Sequence, residues 1–354
     1  MSYQLTEIDV QDIALGTGFL GSGGGGDTKI GEIITKRAIG GGAKIVVESL
    51  QEIADESLVI VIGVMGAPTV LAEKLPAKEE GCNAIQKMEE ILGEKISHVI
   101  PLEIGGMNGL YAIYVASQAQ KIIIDGDCMG RAFPEIQMVT PHIYGEIKQC
   151  VAVLANGQES WALSAENLPE LELQARQKTT EMGGIVTLAY LPMRGKEARE
   201  CCVPNSISVA QKIGNNLHAK ANLAVLHASL QETQYTPINL IINGKIIDLH
   251  RKLEHGFNKG WAIIQALTGL QTIRIDFQNE NLRAVNLKTG AEVAIVPTII
   301  TMLDNEFKPL SCECLRVGLE VSVVTLQVPP LLRTDKALNI VGPAAFKLDD
   351  ILLQ

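Results

Sequence analysis

Four consecutive glycines, Gly23 to Gly26, lie between two apolar, helix-patterned segments, and they constrain the folding of this chain more than any other stretch. Glycine has no side chain to pack and loses the most conformational freedom on ordering. A folded chain therefore keeps such a run where its backbone must approach something closely or take positive φ. The flanks are apolar rather than rich in Ser and Pro, which argues against a free linker. Asp27 follows as a helix cap, and Ile30, Ile33, Ile34 and Ala38 recur behind it at helical spacing. A glycine loop feeding a helix N-terminus directs several N–H groups at one point, where an anion or a developing negative charge is favoured.

A nucleotide is not the expected guest. Gly16-Thr17-Gly18-Phe19-Leu20-Gly21 spells G-x-G-x-x-G, but it follows a helical pattern instead of a strand, and no acidic partner stands clearly about 20 residues on. A standard phosphate loop fails as well, because Asp27 occupies the place of its lysine. Gly23, Gly24, Gly25, Gly26 and Asp27 read instead as one wall of a pocket that can hold an anion or a developing negative charge.

The bulk properties narrow the classes further. At 354 residues, 47% hydrophobic and 20% charged, the chain has room for two ordinary globular domains. A net charge of −10 with only 4% aromatics argues against nucleic-acid partners and against anionic membrane surfaces. The N-terminus has no basic region ahead of an apolar core, and the apolar run from Leu58 to Ala72 is interrupted by Gly63, Gly66 and Pro68 and is too short for a membrane span. Seven cysteines without a secretory signal favour free thiols and a reducing cytoplasm.

Periodicity predicts helices over 9–20 and 28–39, the second ended by Gly40-Gly41-Gly42 and supported by a Glu32–Lys36 pair. Strands are expected at 44–47, 58–64, 98–102 and 121–125, with helices at 77–92 and 108–118 between them. That order predicts an α/β domain, residues 1–165, built on a mostly parallel sheet with flanking helices. The boundary falls between Asn156 and Pro169. Beyond it, helices at 169–181 and 206–226 precede strands at 238–242, 245–249, 261–266, 272–277, 293–302 and 319–328, with Asn243-Gly244 as a hairpin turn. Residues 166–354 are thus expected to form a β-rich α+β domain.

Ligands of parallel sheets sit beyond the carboxyl ends of the strands. Three loops there mix glycine with carboxylate, amide or proline: 65–69, 103–108 and 125–135. Asp125 and Asp127, with Glu103 on the neighbouring loop, are the candidate catalytic carboxylates, either as acid–base groups or as a site for a divalent metal such as zinc. Solvated turn residues are the plainer alternative. Arg131 either pairs with Glu135 or clamps a substrate carboxylate. The six histidines are scattered, and His255, followed by Gly256, is the one set apart. Cys128, inside the aspartate loop, is either a ligand or nucleophile or a small filler.

The segments 21–27, Met65-Gly66-Ala67-Pro68-Thr69, Glu103-Ile104-Gly105-Gly106-x-Asn108 and Asp125-Gly126-Asp127-x-Met129-Gly130-Arg131-Ala132-Phe133-Pro134-Glu135 resemble the DUF917 family, the S-methyl thiohydantoin desulfurase domain proteins. The likeness continues through Met182-Gly183-Gly184, Ser206-Ile207-Ser208, His255-Gly256-Phe257-x-x-Gly260 and Phe277-Gln278-Asn279-Glu280. Ser22, Thr28 and Asn205 depart from the pattern. The resemblance implies a hydrolase for a thiohydantoin- or hydantoin-like ring, with Asp125, Asp127 and Glu103 activating water directly or through a divalent metal. The glycine loop, Asn108, Arg131, Glu135 and His255 would then bind substrate. Asp127→Asn would abolish turnover with little change in melting temperature. The alternative is a non-catalytic ligand-binding subunit for a hydantoinase/oxoprolinase-type partner. A homo-oligomer is compatible with either reading.

Overall fold

A computed structural model describes residues 2–67, 70, 74, 76–254 and 257–348. The chain begins with β1 (Tyr3–Gln4), α1 (Glu7–Leu20), α2 (Thr28–Gly40), β2 (Val46–Ser49) and β3 (Leu58–Gly66). It continues through α3 (Glu80–Leu92), β4 (His98–Pro101), α4 (Met107–Gln118), β5 (Ile122–Asp127) and the short α5 (Thr140–Tyr144). A hairpin of β6 (Val151–Asn156) and β7 (Glu159–Ser164) leads to α6 (Leu168–Glu181), β8 (Ile185–Arg194), α7 (Gly195–Cys201), β9 (Val203–Pro204), α8 (Ser206–His218) and α9 (Leu223–Leu230).

These elements build a nine-stranded sheet ordered β1-β2-β5-β4-β3-β8-β6-β7, with β9 paired to β5. Its middle, β2-β5-β4-β3, is parallel. The flanks are antiparallel through β1, β8, β6, β7 and β9. Residues Leu58–Gly63 of β3 are buried throughout, which is why this strand reads as an unbroken apolar run.

The start of α1 is fixed by a capping box between Thr6 and Asp9. α1 crosses α8 backbone to backbone: a Cβ on Gly16 would stand 1.7 Å from the Ala210 carbonyl oxygen, and one on Gly214 would stand 1.6 Å from that of Asp12. The first glycine of the G-x-G-x-x-G string is thus a helix-packing residue and not part of a phosphate turn.

The second body is a seven-stranded antiparallel sheet. It comprises β10 (Ile238–Glu254), β11 (Phe257–Ala266), β12 (Thr272–Gln278), β13 (Glu280–Asn286), β14 (Glu292–Ile295), β15 (Ile299–Leu303) and β16 (Glu320–Leu326), in the order β14-β13-β12-β11-β10-β16-β15. It curls so that β13 also approaches β15, giving a half-barrel with its own core of Ile246, Ile264, Ile275, Phe277 and Val323. The chain end, with α10 (Asp335–Val341), returns to the first core through Leu332, Val341 and Phe346.

Several expectations give way here. Asn243-Gly244 is not a turn. β10 runs straight through it, with Gly244 facing Val321 on one side and Ala266 on the other. A Cβ on Gly244 would lie 2.5 Å from the Gln265 carbonyl oxygen, so the glycine answers to a close strand approach and not to a hairpin. The helix expected over 206–226 divides into α8 and α9, because Lys220 takes φ +50° and Asn222 caps a new helix by accepting from the Val225 N–H. The strand expected over 293–302 is broken at Pro297, which has no N–H to donate, into β14 and β15. β6, β7, β8 and β13 carry no expectation from the sequence. β8 and β9, although beyond residue 165, complete the first sheet, so the half-barrel begins only at β10.

Candidate active site

The glycine run lies where the two bodies meet. Ser22 locks onto the half-barrel. Its hydroxyl donates to the carbonyls of Asn281 and Ile300 and accepts from the Ile300 N–H, while its own carbonyl accepts from the Asn281 N–H at 2.6 Å. The Gly23 carbonyl accepts from the Cys312 N–H at 2.8 Å. Gly25 takes φ +77° and Gly106 φ +64°, and they press together so closely that a Cβ on Gly106 would lie 2.3 Å from the Gly25 carbonyl carbon. The Gly25 carbonyl also accepts from the Met107 N–H at 2.7 Å, which ties the run to the start of α4. Close approach on two sides, as the sequence predicts for this stretch, is what four glycines accomplish.

A cavity of about 90 Å³ opens beside Gly24, Gly25 and Gly26. Its floor comes from the ends of β3 and β4, through Val64–Ala67 and Leu102–Glu103, and from Met107 and Asn108 at the start of α4. The segment Phe133–Ile136 closes one side, and Asn279, Glu280 and Glu313 come from the half-barrel. Arg176 is the one basic side chain among the described lining residues, with its guanidinium 4.7 Å from the Phe257 ring centroid. Its Nε donates to Glu172 and its Nη2 to the Pro134 carbonyl.

Glu103 is the best-defined acid of the cavity. It is buried, accepts from the Asn108 amide on one oxygen, and accepts from the Phe133 N–H at 2.9 Å on the other. Asn108 is itself oriented, because its carbonyl oxygen accepts from the Val64 N–H at 2.6 Å. Burial pushes the Glu103 carboxyl up to about 8, with the Asp127 charge adding to the rise and Asn108, Phe133 and Arg131 opposing it. Neither hydrogen bond consumes a proton of the acid, so a proton on Glu103 is available to a ligand.

Asp125 and Asp127 stand outside the cavity. One Asp125 oxygen accepts from the N–H groups of Ile207 and Ser208, at 2.9 and 3.1 Å, and the other from the Ser208 hydroxyl, so it serves the N-terminus of α8. Asp127 accepts from the Ile104, Met129 and Gly130 N–H groups at 2.9, 3.1 and 2.7 Å, and from the Ser206 hydroxyl. Burial raises both carboxyls, Asp127 to about 6, while these donors hold it down. Because Ile104 follows Glu103 directly, its N–H bond ties Asp127 to the Glu103 loop, while Asp127 itself does not line the cavity.

Arg131 is likewise committed. Fully buried, it donates to the carbonyls of Ala132, Pro297, Thr298 and Asn281 and so links the two bodies, and it does not line the cavity. Its burial lowers it to about 10. It forms no ion pair with Glu135, which lines the cavity and accepts from the Gln137 amide. Asp27 caps α2 by accepting from the Lys29 N–H at 2.8 Å and does not line the cavity. Cys128 is buried 3.9 Å from the Cys202 sulfur, and burial pushes its thiol well up, against any role as a thiolate. His255, with Pro68 and Thr69 of the 65–69 loop, lies outside the described residues. Among the described residues no group of three or more His, Cys, Asp or Glu side chains is arranged to hold a metal ion.

The sequence reading missed three charged cavity groups, Arg176, Glu280 and Glu313. Glu280 ends the segment Phe277-Gln278-Asn279-Glu280 that belongs to the family resemblance, so a signal existed for it. Arg176 reads only as a charged position on the helix 169–181, with nothing to mark it.

Fold and site together define a class: a two-domain α/β protein with a small, carboxyl-lined cavity at its domain junction. The chain belongs to the S-Me-THD-like family, whose N-terminal domain matches residues 8–164 and whose C-terminal domain matches residues 166–353. In fold it is similar to a crystal structure of a protein from Chromobacterium violaceum, with a TM-score of 0.79 over 98% of this chain and 97% of that one, at 20% identity. No curated protein matches the chain significantly. No helix among the described residues is long and apolar enough to cross a membrane.

Proposed function

We propose that this protein hydrolyses a thiohydantoin- or hydantoin-like ring, with Glu103 handling the proton of the attacking water. The observation that carries this reading is a buried acid, raised to about 8 and oriented by Asn108, that lines a cavity in a chain of the S-Me-THD-like family. A general base is most effective when its pKa lies near the working pH.

With an S-methyl thiohydantoin, water adds to the ring carbon that bears sulfur and is doubly bonded to nitrogen. The carbon–sulfur bond then breaks. One proton of the water ends on ring nitrogen and the other on methanethiol, and the water oxygen becomes the hydantoin carbonyl. As carboxylate, Glu103 takes the proton from water. The walls at Gly24–Gly26 allow the ring to lie against backbone, and Asn108 keeps the Glu103 carboxyl aimed.

The test is methanethiol release by the purified chain given S-methyl thiohydantoin, alongside Glu103→Gln. Release by the wild type and a loss of at least ~100-fold in the variant support the assignment. Undiminished release by the variant would remove Glu103 from the mechanism. Binding of hydantoin without any release would favour a ligand-binding subunit.

A further inference from the structure

Glu103 arrives at the cavity from the end of β4, in the first body. A second carboxyl meets it from the half-barrel. Glu280 opens β13, is only 3% exposed, lines the same cavity, and has a buried Oε2 with no protein hydrogen-bond partner among the described residues. An unpartnered buried polar atom costs free energy, and native chains rarely keep one without a use. Its placement is built in: Gly24 leaves open the volume the carboxyl occupies, since a Cβ there would stand 2.1 Å from Glu280 Oε1.

Arg131 is the nearby cation, yet its N–H groups are directed at four backbone carbonyls and none bonds to Glu280. Its charge offsets part of the opposition that burial, Glu103 and Glu313 set against ionisation, and the net direction for Glu280 is well upward. Burial thus favours the protonated acid, and its Oε2 has no protein acceptor among the described residues.

We infer that Glu280 is the second catalytic acid of this site, supplied across the domain junction, and that its free oxygen protonates the ring while Glu103 deprotonates the water. The inference rests on the hydrolase reading above. In the addition step Glu103 takes a proton from water as hydroxyl bonds to the ring carbon, and Glu280 gives its proton to ring nitrogen. In the collapse step the new hydroxyl returns its proton to Glu280 as the carbonyl forms, the carbon–sulfur bond breaks, and the departing methanethiolate takes the proton from Glu103. Both residues end as they began, and no oxidant or reductant is needed. Such a pair holds one proton between two carboxyls whose apparent pKa values belong to the pair.

The experiment is the pH dependence of kcat/KM for methanethiol release by wild type, Glu103→Gln, Glu280→Gln and Glu280→Asp, with folding followed by circular dichroism. The expected wild-type profile is a bell. Glu280→Gln should lose at least ~100-fold together with the alkaline limb, and Glu103→Gln should lose the acid limb. Glu280→Asp keeps the acid but withdraws it, and should show a reduced rate with both limbs present, which a merely structural Glu280 would not produce. An active wild type with an unchanged Glu280→Gln profile overturns the inference and leaves the hydrolase reading standing. A folded wild type that binds hydantoin but releases no methanethiol overturns both.

Discussion

Glu280 and Gly24 are made for each other: all three of the nearest atoms that a Cβ on Gly24 would meet belong to the Glu280 side chain, at 2.1 to 2.7 Å. Gly24 is not among the positive-φ glycines, so its backbone tolerates alanine and the conflict is purely with that side chain. Gly24→Ala in the wild type should cost about 2 kcal/mol through overpacking and should lower turnover by displacing the acid. In a Glu280→Ala background the same change should cost less than about 1 kcal/mol, because the colliding atoms are gone. Chemical denaturation of the four proteins checks the cycle. Equal costs in the two backgrounds would show that something other than Glu280 reserves this space.

Asp127 gives a second test. Its carboxylate accepts three N–H groups and one hydroxyl inside the protein. Asparagine keeps an acceptor oxygen for the three N–H groups but removes the charge they solvate and turns its NH2 toward the Ser206 hydroxyl, so Asp127→Asn should lose about 2 kcal/mol and lower Tm by roughly 3 °C, against the nearly unchanged melting temperature expected from the sequence. Turnover should fall in parallel, because Ile104 and with it Glu103 lose their anchor. A thermal melt at neutral pH decides this, and an unshifted Tm would leave Asp127 a candidate catalytic carboxylate.

Glu103 also sets a pH dependence of stability. Its folded carboxyl sits at about 8, above its ordinary value of 4.5, so the folded state binds the extra proton. The stability it contributes is complete below pH 4.5 and is lost as pH rises through 8. By pH 7 the loss is on the order of 3 kcal/mol. Glu103→Gln stays neutral throughout, so its stability relative to wild type should climb steadily from pH 5 to pH 8. Urea midpoints across that range measure the difference. Parallel curves would mean that Glu103 ionises in the folded protein as it does in water.

Much of the first body was legible because its signals are local. The Asp27 cap, the Glu32–Lys36 pair and the buried run of β3 each depend on residues a few positions apart, and the structure shows all three. The half-barrel was harder. The usual turn pair Asn243-Gly244 is overridden by ladders on both sides of β10, which only the assembled sheet supplies. At the site, the sequence placed carboxylates at the right sheet edge but could not assign their directions. Asp125 and Asp127 turn toward the start of α8, whereas Glu103 faces the cavity. Arg131 reads as either a partner of Glu135 or a ligand clamp, and its four carbonyl acceptors, three of them more than 140 residues away, leave no mark in the sequence. Long-range partners of this kind leave no periodic trace in a single sequence.

The central claim is that this chain, alone, adds water to the sulfur-bearing carbon of such a ring. The most direct measurement is turnover of S-methyl thiohydantoin in ¹⁸O-labelled water, with both products followed by mass spectrometry. One methanethiol should be released for each hydantoin formed, with one ¹⁸O in the new carbonyl, and the reaction should be lost in Glu103→Gln. Unlabelled hydantoin, or no methanethiol from the purified wild-type chain, would contradict it.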